Sequence, residues 1–193
     1  MRDDTKGGLS DRPFKRSTDA LVREQYATAD NMTDTLAALQ VANGYLLPCR
    51  AALLADFEGK WARDGLVLDN WLRLVGAKPA SDVLVEVRQA MAHPTFSIRN
   101  PNRLRALVAS FAMNNQVQFH AVDGSGYRFL TDLLIELNEV NPQVASRLIT
   151  PLIQFKRLDE ARKALIRAEL LRLFNLDGLA RDLFEKISKA LQQ

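Results

Sequence analysis

The chain has 193 residues, 47% hydrophobic and 25% charged, with 26 basic against 23 acidic side chains and a net charge of +3. Those proportions suit one globular domain with a real core; they exclude a disordered or collagen-like chain and lack the dense Lys/Arg stripe of a nucleic-acid binder. A lone cysteine, Cys49, favours a reducing compartment, and no apolar run is long enough to span a membrane or serve as a secretory signal, so the cytoplasm is the expected location.

Residues 1–19 mix charges with Gly, Ser and Pro without periodicity and read as a flexible leader, and 20–193 as the domain proper. Thr18 or Asp19 can cap a first helix through about Ala29, with Leu21, Val22 and Tyr26 on one side. A second runs from Asn31 or Thr33 to Ala42 and ends at Asn43-Gly44. Pro48 opens a third, with Leu53, Leu54, Phe57 and Trp61 inward; Gly65 separates it from a fourth over Val67 to Val75. Lys78-Pro79 breaks the fourth, and Ser81-Asp82 starts a fifth, Val83 to Met91.

The next stretch carries two Asn-Pro helix starts, Asn100-Pro101 and Asn141-Pro142, each joining an N-cap side chain to a proline at the first helical position. After the first, Leu104, Leu107, Val108 and Phe111 repeat at i, i+3, i+4, i+7 and make one apolar face, flanked by Arg103 and Arg105. Asp123-Gly-Ser-Gly126 is a tight polar turn opening a seventh helix, Tyr127 to Asn138. The eighth starts at Asn141-Pro142, buries Val144, Ala145, Leu148, Ile149 and Leu152, and should kink or stop near Pro151. A ninth spans about Asp159 to Phe174, and a tenth, from about Leu179 to Leu191 and amphipathic through Leu179, Leu183, Ile187 and Leu191, follows Asp177-Gly178. No stretch alternates over strand length. The expected class is all-α, about ten helices in a curved superhelical stack of antiparallel helix pairs of the HEAT or armadillo kind.

NPNR followed by Leu104 and Arg105, FHAVDGSGYRFL, LNEVNPQVASRLI and PLIQFKR are long, ordered motifs, and from Ala20 to Gln193 they resemble the C-terminal helical domain of bacterial aminopeptidase N, a zinc-dependent gluzincin. Leu47 to Trp71 and the ending LFEKISKAL fit the same domain. The resemblance implies a non-catalytic superhelix that closes over a catalytic domain, in cis or in trans, and helps enclose the active-site chamber. Residues matching Arg105, Gln143 and Arg147 are implied to meet the far end of a bound peptide. Zinc is implied only for the catalytic domain, with no cofactor held by this chain.

The residues themselves agree in part. A zincin needs His-Glu-x-x-His, but the two histidines here, His93 and His120, are not followed by Glu. Asp123-Gly-Ser-Gly126 lacks the lysine and the preceding strand of a phosphate-binding loop and reads as a structural turn. Cys49 lies by a helix start, which could lower its pKa, although packing is the expected role. From Arg88 to Arg128 there are five arginines against one acid, Asp123, a local excess suited to an anion or to plain solvation. Gln143 and Arg147 are four apart on one helix face, and Arg105 shares its face with the small residues Ala109 and Ala112. A guanidinium fork suits a peptide carboxylate, whereas the structural alternative pairs these arginines with carbonyls, Asp123 or Glu139. Arg103 is expected to be structural. The alternative function is a stand-alone helical-repeat interaction module. Self-association is expected if Leu21, Val22, Leu36 and Leu39 are exposed, unless residues 1–19 cover them through Phe14.

Overall fold

The computed structural model describes residues 11–192, with side chains from Ser17 onward. It is helical throughout the described residues: α1 (Asp11–Thr28), α2 (Met32–Gly44), α3 (Arg50–Trp61), α4 (Gly65–Gly76), α5 (Val83–Met91) and α6 (Pro101–Leu104) lead into a π-helical segment, Arg105–Asn114. Then follow α7 (Gln116–Phe119), α8 (Ser125–Val140), α9 (Pro142–Leu148), α10 (Thr150–Ile153), α11 (Glu160–Phe174) and α12 (Arg181–Leu191). Neighbours in sequence pack on one another, α1 on α2, α4 on α5 and α11 on α12. Longer-range contacts of α4 with the π segment, α8 with α11 and α9 with α12 join the pairs into a stack.

The expected helix starts are where their caps require. Asn100 Oδ1 accepts from Asn102 N at 3.0 Å, and Asn141 Oδ1 from Val144 N at 3.2 Å, with proline following each. Asn31, Asp64 and Asp159 cap α2, α4 and α11 in the same way. Pro151 ends α9 at Leu148 and leaves a single turn, α10. Three boundaries differ from expectation. The first helix starts at Asp11, so residues 11–19 of the expected leader are helical, while residues 1–10 lie outside the described residues. The third starts at Arg50, after a turn through Pro48. Beyond Leu104 the helix widens to π.

Two apolar clusters share α4. One gathers Val22, Leu39, Leu47, Leu53, Leu54 and Phe57 with Leu74; the other gathers Leu104, Leu107, Phe111, Tyr127, Leu134 and Leu170, among others, with Leu72 and Val75. Trp71 is partly buried against both. Val22 and Leu39 are therefore core, Leu36 is half-buried, and only Leu21 of the four expected patch residues is exposed. The reason is that α1 lies along α2 and covers the face that was expected to be open. The Phe14 side chain lies outside the described residues.

Close approach at the α4–π contact depends on Gly76. A Cβ there would sit 2.4 Å from Leu107 O and 3.1 Å from Phe111 N. In an α-helix those two groups would bond to each other, but a π register pairs each N–H five residues back. Asn115 secures the same junction by donating from Nδ2 to Gly76 O at 3.2 Å and Lys78 O at 2.7 Å. Below it, buried Arg50 and Lys78 meet Glu86: Arg50 Nη2 to Oε2 and Lys78 Nζ to Oε1 are both 2.6 Å. Burial alone would raise the Glu86 pKa, but these two cations hold it below the usual range.

Candidate functional site: a groove between the π segment and α9

The two Asn-Pro starts set the walls of one groove. From the first come Pro101, Arg105, Ala109 and Met113; from the second come Val144, Arg147 and Leu148; together they enclose about 180 Å³. The spacing of the first wall is four residues throughout. In a π register, with its wider turn, successive fourth residues stay nearly in line along the axis, so Arg105, Ala109 and Met113 form a straight edge. Leu104, Leu107, Val108 and Phe111 are all fully buried, as their spacing predicts.

Arg105 and Arg147 are both exposed, and among the described residues neither guanidinium makes a hydrogen bond or ion pair. Neither carboxylate offered as a structural alternative pairs with them: Glu139 makes no ion pair among the described residues, and Asp123 is used within its own turn. Asp123 Oδ1 accepts from Ser125 N at 3.0 Å, and its carbonyl accepts from Arg128 Nη1 at 2.8 Å. Ala109 lines the groove as expected, but Ala112 does not; the wider turn rotates it into the core, where it is fully buried. Gln143 is exposed on α9 and does not line the groove. Met113, Val144 and Leu148 were not anticipated as site residues. The four-residue series Pro101, Arg105, Ala109, Met113 was visible in the sequence and would have pointed to Met113.

Arg103 is structural, as expected. It is buried, ion-paired with buried Asp69, and donates from Nη1 to Gly65 O at 2.5 Å and from Nε to Thr95 O at 3.4 Å, tying α6 to α4. Asp123-Gly-Ser-Gly126 is a turn, with Gly124 at φ 68° opening α8 and Gly126 so close to Phe119 O that a Cβ would lie 2.3 Å away. The Cys49 thiol is fully buried; burial and the neighbouring Asp19 carboxylate push its pKa up to about 11, the reverse of the lowering considered from its place near a helix start.

The histidines are built into packing. His120 Nδ1 lies 2.8 Å from Tyr127 Oη and Nε2 lies 3.0 Å from Gln116 Oε1; its pKa is lowered by burial and by the Arg162 guanidinium. His93 contacts Glu58 at 2.9 Å and Thr95 at 2.7 Å beside the Trp71 ring. Among the described residues no three His, Cys, Asp or Glu side chains gather as a metal site would need. No helix there is long and apolar enough to cross a membrane.

A stack of short, cap-defined helix pairs with one shared core helix defines an armadillo-type helical-repeat domain. The chain belongs to the family described as "Domain of unknown function (DUF3458_C) ARM repeats", which it matches over residues 9–192. It is 58% identical to aminopeptidase N of Haemophilus influenzae over 172 residues, covering 89% of this chain and 20% of that protein. It is 51% identical to aminopeptidase N of Escherichia coli over 173 residues, covering 90% and 20%. The crystal structure of Legionella pneumophila aminopeptidase A in complex with aspartic acid superposes with a TM-score of 0.85 at 26% identity, covering 93% of this chain and 21% of that one. The resemblance to the C-terminal helical domain of bacterial aminopeptidase N therefore holds, and the chain spans about a fifth of the length of these relatives.

Proposed function

We propose that the chain is the non-catalytic helical domain of a cytoplasmic zinc aminopeptidase. In this reading it encloses part of the active-site chamber and meets the distal end of peptide substrates. Its partner is the zinc-bearing catalytic domain, in cis or in trans. The observation that carries the reading is the convergence of Arg105 and Arg147, both without a protein partner among the described residues, on one apolar-walled groove. Two guanidinium forks at the rim suit the terminal carboxylate of a peptide, and the walls of Ala109, Met113, Val144 and Leu148 suit the side chain beside it. Gln143, one turn before Arg147 on the same exposed side of α9, lies outside the groove and would meet an incoming peptide only beyond it.

An exposed contact between arginine and a carboxylate gives at most about 1 kcal/mol, so this chain alone should bind free peptides weakly. Inside a closed chamber a hydrogen bond to a charged group is worth roughly 1.5–3 kcal/mol. In the enzyme assembled with its catalytic domain, Arg105→Ala or Arg147→Ala should therefore lower kcat/KM for a tetrapeptide by about ten- to a hundredfold. Hydrolysis of an aminoacyl-arylamide, which has no distant carboxylate, should be unchanged. Equal losses on both substrates, or equal losses on a peptide and its C-terminal amide, would reject carboxylate recognition. Tight, metal-dependent activity of this chain by itself would reject the non-catalytic role.

A further inference from the structure

A second cluster of cations lies outside that groove. Lys156 and Arg157, in the loop after α10, and Lys186 and Lys189, on α12, line an open groove of about 680 Å³ with Gln154, Ile153 and Ala190. Among the described residues no carboxylate lines it and none of these four cations makes an ion pair. Of the nearby acids, Asp159 pairs with Arg162, Glu160 with Lys163 and Glu185 with Arg181, while Asp182, one turn before Lys186, is exposed and makes no ion pair among the described residues. Lys186 Nζ donates to Ser146 O, which fixes that side chain against α9.

Helix-end electrostatics explain only part of this. Lys189 is in the last turn of α12, where the negative end of the helix favours a cation. Lys156 and Arg157 follow a helix of four residues, whose dipole is negligible. Four like charges lining one groove with no ion-paired carboxylate among the described residues raise the local positive potential, and a bound anion would relieve that repulsion. Two cations stand on each side, so the complementary ligand carries more than one negative group at a spacing that spans the groove. The positive strip continues past Lys156 into a hollow bordered by Lys163 and Arg167, where Arg167 lies over the Phe155 ring.

We propose that the groove between the α10 loop and α12 binds a linked phosphate chain of two or more phosphates, free or carried on a nucleoside, with Lys156 and Arg157 gripping one end and Lys186 and Lys189 the other. Arginine forks a phosphate through paired donors, and the lysines act as point charges. The site is separate from the Arg105–Arg147 groove and shares no residue with it.

Calorimetric titration of the 193-residue chain at constant ionic strength tests it, with inorganic triphosphate, a nucleoside triphosphate, orthophosphate and a single-stranded oligonucleotide as probes. Triphosphate should bind saturably, one per chain, at least about tenfold tighter than orthophosphate, and should raise the melting temperature. The double variant Lys156→Ala/Arg157→Ala should lose about tenfold in triphosphate affinity, and Lys189→Gln on the opposite wall should weaken it independently. Lys60→Ala, a cation paired elsewhere, should leave it unchanged. Equal affinity for the two triphosphates assigns the site to the phosphates alone; tighter nucleotide binding adds contact with the Ile153–Ala190 floor. Absence of saturable binding, orthophosphate matching triphosphate, or full affinity in both variants would overturn the proposal. An oligonucleotide that binds more tightly than triphosphate and survives the double substitution would overturn it in favour of a nucleic-acid surface.

Discussion

His120 shows how one side chain makes the fold sensitive to acid. Its ring sits between Tyr127 Oη and Gln116 Oε1, its carbonyl accepts from Arg162 Nε at 2.7 Å, and burial and the Arg162 charge together lower its pKa. A histidine whose folded pKa lies below its unfolded value of about 6.5 binds fewer protons folded than unfolded in that window. Its contribution is fully present above pH 6.5 and is lost as pH falls through the folded value. Urea melts at pH 7.5 and pH 5.5 should show a larger stability loss for the natural chain than for His120→Gln, whose amide cannot be protonated there. A pH dependence identical in the two proteins would mean that His120 does not titrate in this range. None of this was legible from the chain, where His120 was read as a residue of a motif and weighed against a zinc-binding pattern; its lowered pKa comes first from burial and then from Arg162, 42 residues away.

At the scale of elements, the helix starts were legible because their causes are local. An Asn side chain, a proline and the next two amides suffice, and Asn100 and Asn141 behave as their sequence dictates. The π register was not legible: it lies where the Gly76 end of α4 meets Leu107 and Phe111, some 30 residues on, a contact that no local pattern announces. That register also explains why Ala112 turned inward while Ala109 did not. Gly76→Ala should therefore be severely destabilising, by about 3 kcal/mol or more, since the intruding Cβ meets backbone and cannot be accommodated by a rotamer change. Gly59, inside α3, is the internal control: a Cβ there has nothing within 4 Å, and Gly59→Ala should stabilise by roughly 0.5–1 kcal/mol through helix propensity. Thermal melts of the two variants check both signs at once. The site itself was half legible: the resemblance pointed to Arg105 and Arg147, but only the packing of α9 against the widened helix set them over the same apolar walls and left Gln143 outside.

At the scale of the whole molecule, the division of the core around α4 bears on how the chain comes apart. A stack of repeats is in principle a row of units, each held by its neighbours, and such rows can melt from one end. Here Leu74 belongs to the first apolar cluster, Leu72 and Val75 to the second, and Trp71 touches both, all within one helix. Losing either cluster removes one side of α4 and so weakens the other. Leu74→Ala and Leu72→Ala should each cost about 2–5 kcal/mol, and each should lower a single, shared unfolding transition rather than split it. Amide hydrogen exchange should find α4 opening last, with α2 and α8 exchanging at comparable rates although they lie in different clusters. Two separate transitions in the Leu74→Ala variant would show the clusters to be independent. The single helix through which both cores are built is in this sense an axle: with one shared unfolding transition, strain applied at the α1 end would be felt at the groove of Arg105 and Arg147.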